Sequence, residues 1–269
     1  MKKRLDIYLV ENNIIDSRSN SKGIIMSGDI YVNGEKIDKP GYIVSEKDIV
    51  EFRGSRPKYV SRGGLKLEKA IQRFGISLNG KNCMDVGAST GGFTDCMLQN
   101  GAAKVYSIDV GYGQLAWVLR SNNRVINMER QNIRNLSEND ISEKIDFISV
   151  DVSFISLKLI LPKLKLFIKS TGNIVCLIKP QFEAGQYKVS KSGVVKDKKV
   201  HKEVLNNICT FVEDLGWWIY GIDYSPIKGP KGNIEYLLFI SLEQSNLIKK
   251  ILKYEVDNVV EMSHGELNE

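Results

Sequence analysis

The sequence predicts an α/β protein: a Rossmann-like, doubly wound, mostly parallel sheet preceded by a small N-terminal α+β domain. Three observations predict it. From Gly63 onward, short apolar strands alternate with helical stretches, the pattern of βαβ units. A glycine-rich turn, Asp85 to Phe93, follows the first of those strands and opens a helix. Residues 1 to 53 follow a different order, two helices and then a small sheet. A chain of 269 residues has room for one full catalytic domain and a smaller one, and its 42% hydrophobic content allows a sizeable core.

Taken in order, Leu5, Tyr8 and Leu9 recur at helical spacing, and Ser17 is a candidate N-cap for a second helix whose buried face is Ile24 and Ile25. Ser27-Gly28-Asp29 is a turn, Ile30-Tyr31-Val32 a strand, Asn33-Gly34 a hairpin turn, and Asp48 to Phe52 a closing strand. Residues 54–62 read as a basic linker, either a solvated connection or a phosphate-contacting strap that includes Arg56, Lys58 and Arg62. Residues 63–244 form the larger domain. Leu65 to Gly75 is a helix stopped by glycine, Asn82 to Gly87 a buried strand, and Phe93 to Gly101 a helix. Strands follow at 104–110, 124–130 and 146–154, a helix at 159–170, a strand at 173–180 and a long helix at 196–216. The last two strands, 217–225 and 235–243, are joined without a helix and should pair antiparallel. Residues 245–269 are polar and read as a frayed helix or disordered tail.

Several function classes are disfavoured at this level. Asp6 and Glu11 interrupt the apolar run at the N-terminus, no small-residue cleavage site follows, and no stretch reaches the ~20 apolar residues of a spanning helix, so a cytoplasmic protein without a membrane role is expected. Cys83, Cys96, Cys176 and Cys209 form no CxxC pair and suit reduced, buried thiols. With two histidines, His201 and His264, no metal site is expected. The net charge of +6 favours a polyanionic partner.

The turn Asp85-Val86-Gly87-Ala88-Ser89-Thr90-Gly91-Gly92-Phe93 lies where backbone must approach a ligand closely. The acid before the first glycine suits a cationic ligand end, such as the amino group of S-adenosylmethionine, and would repel a pyrophosphate. Asp109 ends the next strand, about 20 residues on, where a carboxylate can accept ribose hydroxyls or simply cap a turn. Val110 follows it, and Asn132 lies just past the third strand, where adenine contacts would fall. Asp151 and Lys179 sit near the carboxyl ends of strands, the edge where open parallel sheets bind ligands. Lys179 reads either as a lysine snorkelling to solvent or as a general base, which needs burial and a second cation to release its proton near neutral pH. Lys66 could be that cation, and Glu235 could join the group.

The segments SRGGLKL, DVGASTGGFTD, DVGYGQLAW, DVSFISL, LIKPQFEAG and GNIEY together resemble the TlyA family, rRNA 2'-O-methyltransferases also labelled haemolysins, over nearly the whole chain. The larger domain is similar to the FtsJ-like (RrmJ) methyltransferases, which implies a class I methyltransferase fold, S-adenosylmethionine as cofactor and no metal. Lys66, Asp151, Lys179 and Glu235 take the four places of that group's Lys-Asp-Lys-Glu tetrad. The cofactor contacts expected from the strand-end positions are Asp85, Gly87 to Phe93, Asp109, Val110, Asn132 and Asp151. The N-terminal unit resembles the alpha-L RNA-binding motif, and Arg4, Arg18 and Lys22 become candidate RNA contacts. The resemblance implies methylation of a cytidine ribose in ribosomal RNA, free or in ribosomal subunits, with Lys179 as base. Phe154 and Phe182 would either stack on the target base or pack. Against this stand a non-catalytic assembly protein and a membrane-lytic haemolysin; the intact glycine turn and tetrad disfavour the first, and the lack of a signal or spanning segment the second.

Overall fold

Alternating side chains along a strand face opposite sides of a sheet, and the apolar strands of the larger domain bury both sides. The computed structural model describes residues 2–12, 14–15, 18–54, 57–243 and 253–267. The chain divides into two units, Met1–Pro57 and Lys58–Glu269.

In the smaller unit, helices Leu5–Glu11 and Arg18–Ser27 accompany an antiparallel three-stranded sheet ordered 35–37, 30–32, 50–52. Leu5, Leu9, Ile25, Ile30, Val32 and Val44 form its core. Asn33 (φ +52°) and Gly34 (φ +85°) close the hairpin, the left-handed pair that a two-residue turn between twisted strands requires. A short ladder of Lys3–Arg4 with Ile43–Val44 was not anticipated. The proposed N-cap Ser17 and the candidate contact Arg56 lie outside the described residues.

Among the described residues, the larger unit holds seven strands: β1 (Asn82–Val86), β2 (Lys104–Asp109), β3 (Val125–Glu129), β4 (Ile145–Val150), β5 (Ile168–Ile178), β6 (Trp218–Tyr224) and β7 (Tyr236–Ser241). Their order is β6-β7-β5-β4-β1-β2-β3. Strands β1 to β5 run parallel, and β7 lies antiparallel between β5 and β6. One face is covered by α1 (Gly63–Phe74) and α2 (Gly92–Gln99), through Leu67, Ala70, Phe93, Cys96 and Met97. The other is covered by α3 (Lys198–Asp214), through Val204, Leu205, Ile208 and Val212. The four cysteines are reduced and buried; burial pushes Cys83, Cys96 and Cys209 up to about 12 and Cys176 higher still, so none is a ready nucleophile.

Three expectations need correction. The helix expected over 159–170 is a short helix, Leu161–Leu164, and β5 already begins at Ile168, which pairs with Ile145; a neighbouring strand captures apolar residues whose spacing suits a helix. Residues 58–62 are not a free linker. Tyr59 is 4% exposed and the Val60 N–H donates to Asp95 at 2.9 Å, which fastens the segment to the larger unit. Of the two readings of the C-terminal segment, the helix holds for its described residues, but it is packed and not frayed: Lys253–Glu266 forms α4, which packs on α3 and β6. Its buried Val256, Val260 and Ser263 recur at helical spacing beneath a polar surface. Val260→Ala should therefore cost about 2 kcal/mol, read as a lower denaturant midpoint at unchanged slope.

Candidate active site

Strand order reverses between β1 and β4, so the chain leaves their carboxyl ends in opposite directions and opens a crevice there. The glycine turn enters it. Gly87 has φ +88°, and a Cβ on it would lie 2.5 Å from the Asp151 carbonyl oxygen. Only glycine lets the two strand ends approach this closely. Gly92 is equally constrained, since a Cβ there would meet the Gly64 nitrogen at 2.8 Å. The glycines of SRGG and STGG thus press α1 against the start of α2.

That contact aims α1 so that Lys66, 7% exposed, reaches the crevice. Its Nζ lies 2.6 Å from Glu235 Oε2 and 3.9 Å from Asp151 Oδ2. Glu235 is 1% exposed and immediately precedes β7. Lys179, 8% exposed at the end of β5, places Nζ 2.6 Å from Asp151 Oδ1 and donates to Ser153 Oγ at 3.1 Å. The Lys179–Asp151 contact is an ion pair rather than an aligned hydrogen bond, and no described donor is aligned with that oxygen. Two ammonium groups and two carboxylates thus converge from four separate elements, balanced in charge and nearly closed to water.

The acid that opens the glycine turn behaves differently from expectation. Asp85 is wholly buried on the α2 face of β1, where it accepts from Thr94 Oγ1 at 2.7 Å and from Ser149 Oγ at 3.1 Å. It braces the turn from below and does not present its carboxylate to the crevice. Burial raises it to about 7, against the opposing hydrogen bonds. Asp109 does stand at the rim, accepting from the Ser89 and Gly111 amides at 2.7 Å each. Val110 beside it is 71% exposed. Asn132 is half-buried and turns its Oδ1 back to the Arg134 N–H at 3.1 Å. Ala88 is buried, Ser89 and Thr90 are exposed, and Phe93 packs in the core under the turn.

Phe154 follows the charged cluster in an unusual pose. It is 88% exposed with φ +63°, and its ring lies 5.0 Å from that of Phe182. With Gln181, Gln186, Val189 and Ser190 the pair lines an open cleft of about 480 Å³. Sequence reasoning missed the residues that support this region. Glu183 accepts from Ser156 Oγ and the Leu157 N–H, at 2.6 and 2.8 Å, tying the loop after β4 to the loop after β5. Asn233, 2% exposed, joins Val195 and Gly193 to the loop carrying Glu235. Their only sequence signal was membership of the DVSFISL, KPQFE and GNIEY segments.

Among the candidate RNA contacts, Arg4 and Arg18 both bond the buried Asp6, at 3.0 and 3.1 Å, while keeping about half their side-chain surface exposed. The hydrogen bond from Arg4, then that from Arg18, holds Asp6 below the usual carboxylate range against its burial. Lys22 and Arg62 are exposed, and Lys58 pairs with Glu68.

A glycine turn after β1, an acid at the end of β2 and a sheet closed by an antiparallel strand between the fifth and sixth define a class I methyltransferase domain. The FtsJ-like methyltransferase model matches residues 59–242 and the S4 domain model residues 3–50, and the chain belongs to the FtsJ-like methyltransferase family. It is 44% identical to hemolysin A of Brachyspira hyodysenteriae over 87% of this chain and 98% of that one. It is 40% identical to the 16S/23S rRNA (cytidine-2'-O)-methyltransferase TlyA of Mycobacterium tuberculosis, over 88% of this chain and 89% of that one. A solved structure from Streptococcus thermophilus superposes with a TM-score of 0.77 at 41% identity, covering 99% of this chain and 97% of that one.

The burial of Asp85 has a pH signature. The folded protein holds this proton up to about 7, whereas the unfolded chain releases it near 3.8, so its contribution to stability is full below the lower value and is lost as pH rises through the upper one. Asp85→Asn should remove that decline; denaturant titrations of both proteins at several pH values between 4 and 8 measure it.

Proposed function

We propose that the chain is an S-adenosylmethionine-dependent RNA methyltransferase that modifies a ribose 2'-hydroxyl, on a cytidine of ribosomal RNA. The carrying observation is the buried cluster of Lys66, Glu235, Asp151 and Lys179 at the carboxyl edge of a methyltransferase sheet. The names of the Mycobacterium relative and of the S4 domain support the substrate.

The crevice fits the cofactor on its own geometry. The turn at Gly87 leaves no side chain in the way, Asp109 offers a carboxylate at the rim where ribose hydroxyls would sit, and Val110 offers an exposed apolar surface. Asn132 would serve the adenine end after its side chain leaves Arg134. When bound, S-adenosylmethionine supplies an electrophilic methyl group. Lys179, in its neutral form, takes the 2'-hydroxyl proton at Nζ. Asp151 holds that amine from one side, and the Lys66–Glu235 pair, itself balanced in charge, fixes Asp151 from the other. Phe154 and Phe182 offer a stacking surface for the target base beside this point. The smaller unit adds Arg4, Arg18 and Lys22, and the larger Lys58 and Arg62, as phosphate contacts; Arg56 is a further candidate.

Lys179→Ala should lower methyl transfer by a factor on the order of 10² or more while leaving cofactor affinity unchanged. The measurement is label incorporation from S-adenosylmethionine into purified ribosomal subunits from cells lacking the activity. Incorporation by the variant at the wild-type rate overturns the assignment of the base. Asp109→Ala should instead weaken cofactor binding about tenfold or more, read by titration calorimetry, since it removes charge-assisted hydrogen bonds to the ribose.

A further inference from the structure

We propose that Ser153 is a positioning residue for Lys179, setting the direction of the amine's lone pair; this rests on the function proposed above. Lys179 Nζ touches Asp151 Oδ1 at 2.6 Å and Ser153 Oγ at 3.1 Å. A neutral lysine amine has two N–H bonds and one lone pair arranged tetrahedrally around nitrogen. The N–H directed at Ser153 fixes the amine about its last bond, while Asp151 attracts it by charge without an aligned hydrogen bond, and the lone pair is left for the crevice, where a 2'-hydroxyl must deliver its proton. With Asp151 alone, the amine can rotate about its last bond and the lone pair has no fixed direction.

The backbone is built to hold this contact. Phe154 has φ +63°, a conformation bulky side chains rarely adopt. That reversal turns Ser153 inward to Lys179 while Phe154 projects outward, 88% exposed. Both ends of the loop are anchored, by the Asp151 N–H on the Val86 carbonyl at 2.9 Å and by Ser156 and Leu157 on Glu183. The charged groups around the amine are Asp151 beside it, and Lys66 from α1 and Glu235 before β7 behind Asp151. Ser153 itself is solvent-exposed, so RNA settling on the crevice would shield this bond and strengthen it at the moment of proton transfer.

The test is the pH dependence of single-turnover methyl transfer to ribosomal subunits by the full chain, comparing wild type, Ser153→Ala and Ser153→Thr. Ser153→Ala should lower the plateau rate about tenfold, the worth of one hydrogen bond. Its rising limb should move to lower pH, because an acceptor that stabilised the ammonium form is gone. Cofactor affinity and the apparent affinity for subunits should stay unchanged, and Ser153→Thr should restore rate and limb. A Ser153→Ala protein with wild-type plateau and limb overturns the proposal. So does a loss confined to subunit affinity, or a lower plateau with an unmoved limb; both would make Ser153 a structural part of its loop. Wild-type protein that transfers no methyl group to RNA would remove the underlying function as well, an outcome visible before any variant is compared.

Discussion

The crevice depends on the way Asp151 is held. Its N–H donates to the Val86 carbonyl, its own carbonyl occupies the space that any side chain on Gly87 would need, and its carboxylate stands between two lysines. One residue therefore joins the ends of β1 and β4, shapes the floor beneath the glycine turn and orders the charged cluster. The absence of a β-carbon at Gly87 is what permits it. If those strand ends moved apart, the turn and Lys179 would lose their common reference.

The cluster is costly to assemble. Removing ions from water is unfavourable even when they are paired, and such groups often contribute little net stability. Two lysines and two carboxylates, with Glu235 at 1% and Lys66 and Lys179 below a tenth exposed, are best understood as bought for position. Lys66 and Glu235 meet at 2.6 Å, whereas Asp151 is shared less symmetrically, close to Lys179 and at 3.9 Å from Lys66. Each lysine thus has one close carboxylate, and the looser contact, between Lys66 and Asp151, links the more deeply buried Lys66–Glu235 pair to the Lys179–Asp151 pair.

Much of the fold was legible because its signals are local. Glycine stops, the Asn33-Gly34 turn and short runs of β-branched residues each declare themselves within a few positions, and the antiparallel closing strands followed from a loop too short for a crossover. The misread parts depend on partners far along the chain. Residues 159–170 have helical spacing, but Ile168 is claimed by Ile145 across the sheet. The α4 segment reads as polar because its buried stripe of Val256, Val260 and Ser263 is narrow. At the site, motifs identified which residues matter but not where they point. Asp85 lies on the strand face that looks toward Thr94, so its carboxylate never reaches the crevice, and a motif cannot distinguish that face from the other. Ser153 was hidden for the same reason: a serine next to an acid carries no signal until the left-handed turn at Phe154 directs it to a lysine.

The position of β7 between β5 and β6 has a consequence for how the protein comes into being. Glu235 lies 169 residues beyond Lys66, and the strand it introduces must insert beside one that left the ribosome much earlier. A nascent chain can build the parallel strands and the glycine turn as they emerge, but Lys66 lacks its 2.6 Å partner until Glu235 has been synthesised. Chains cut short before β7 would then carry the glycine turn without the complete charge array.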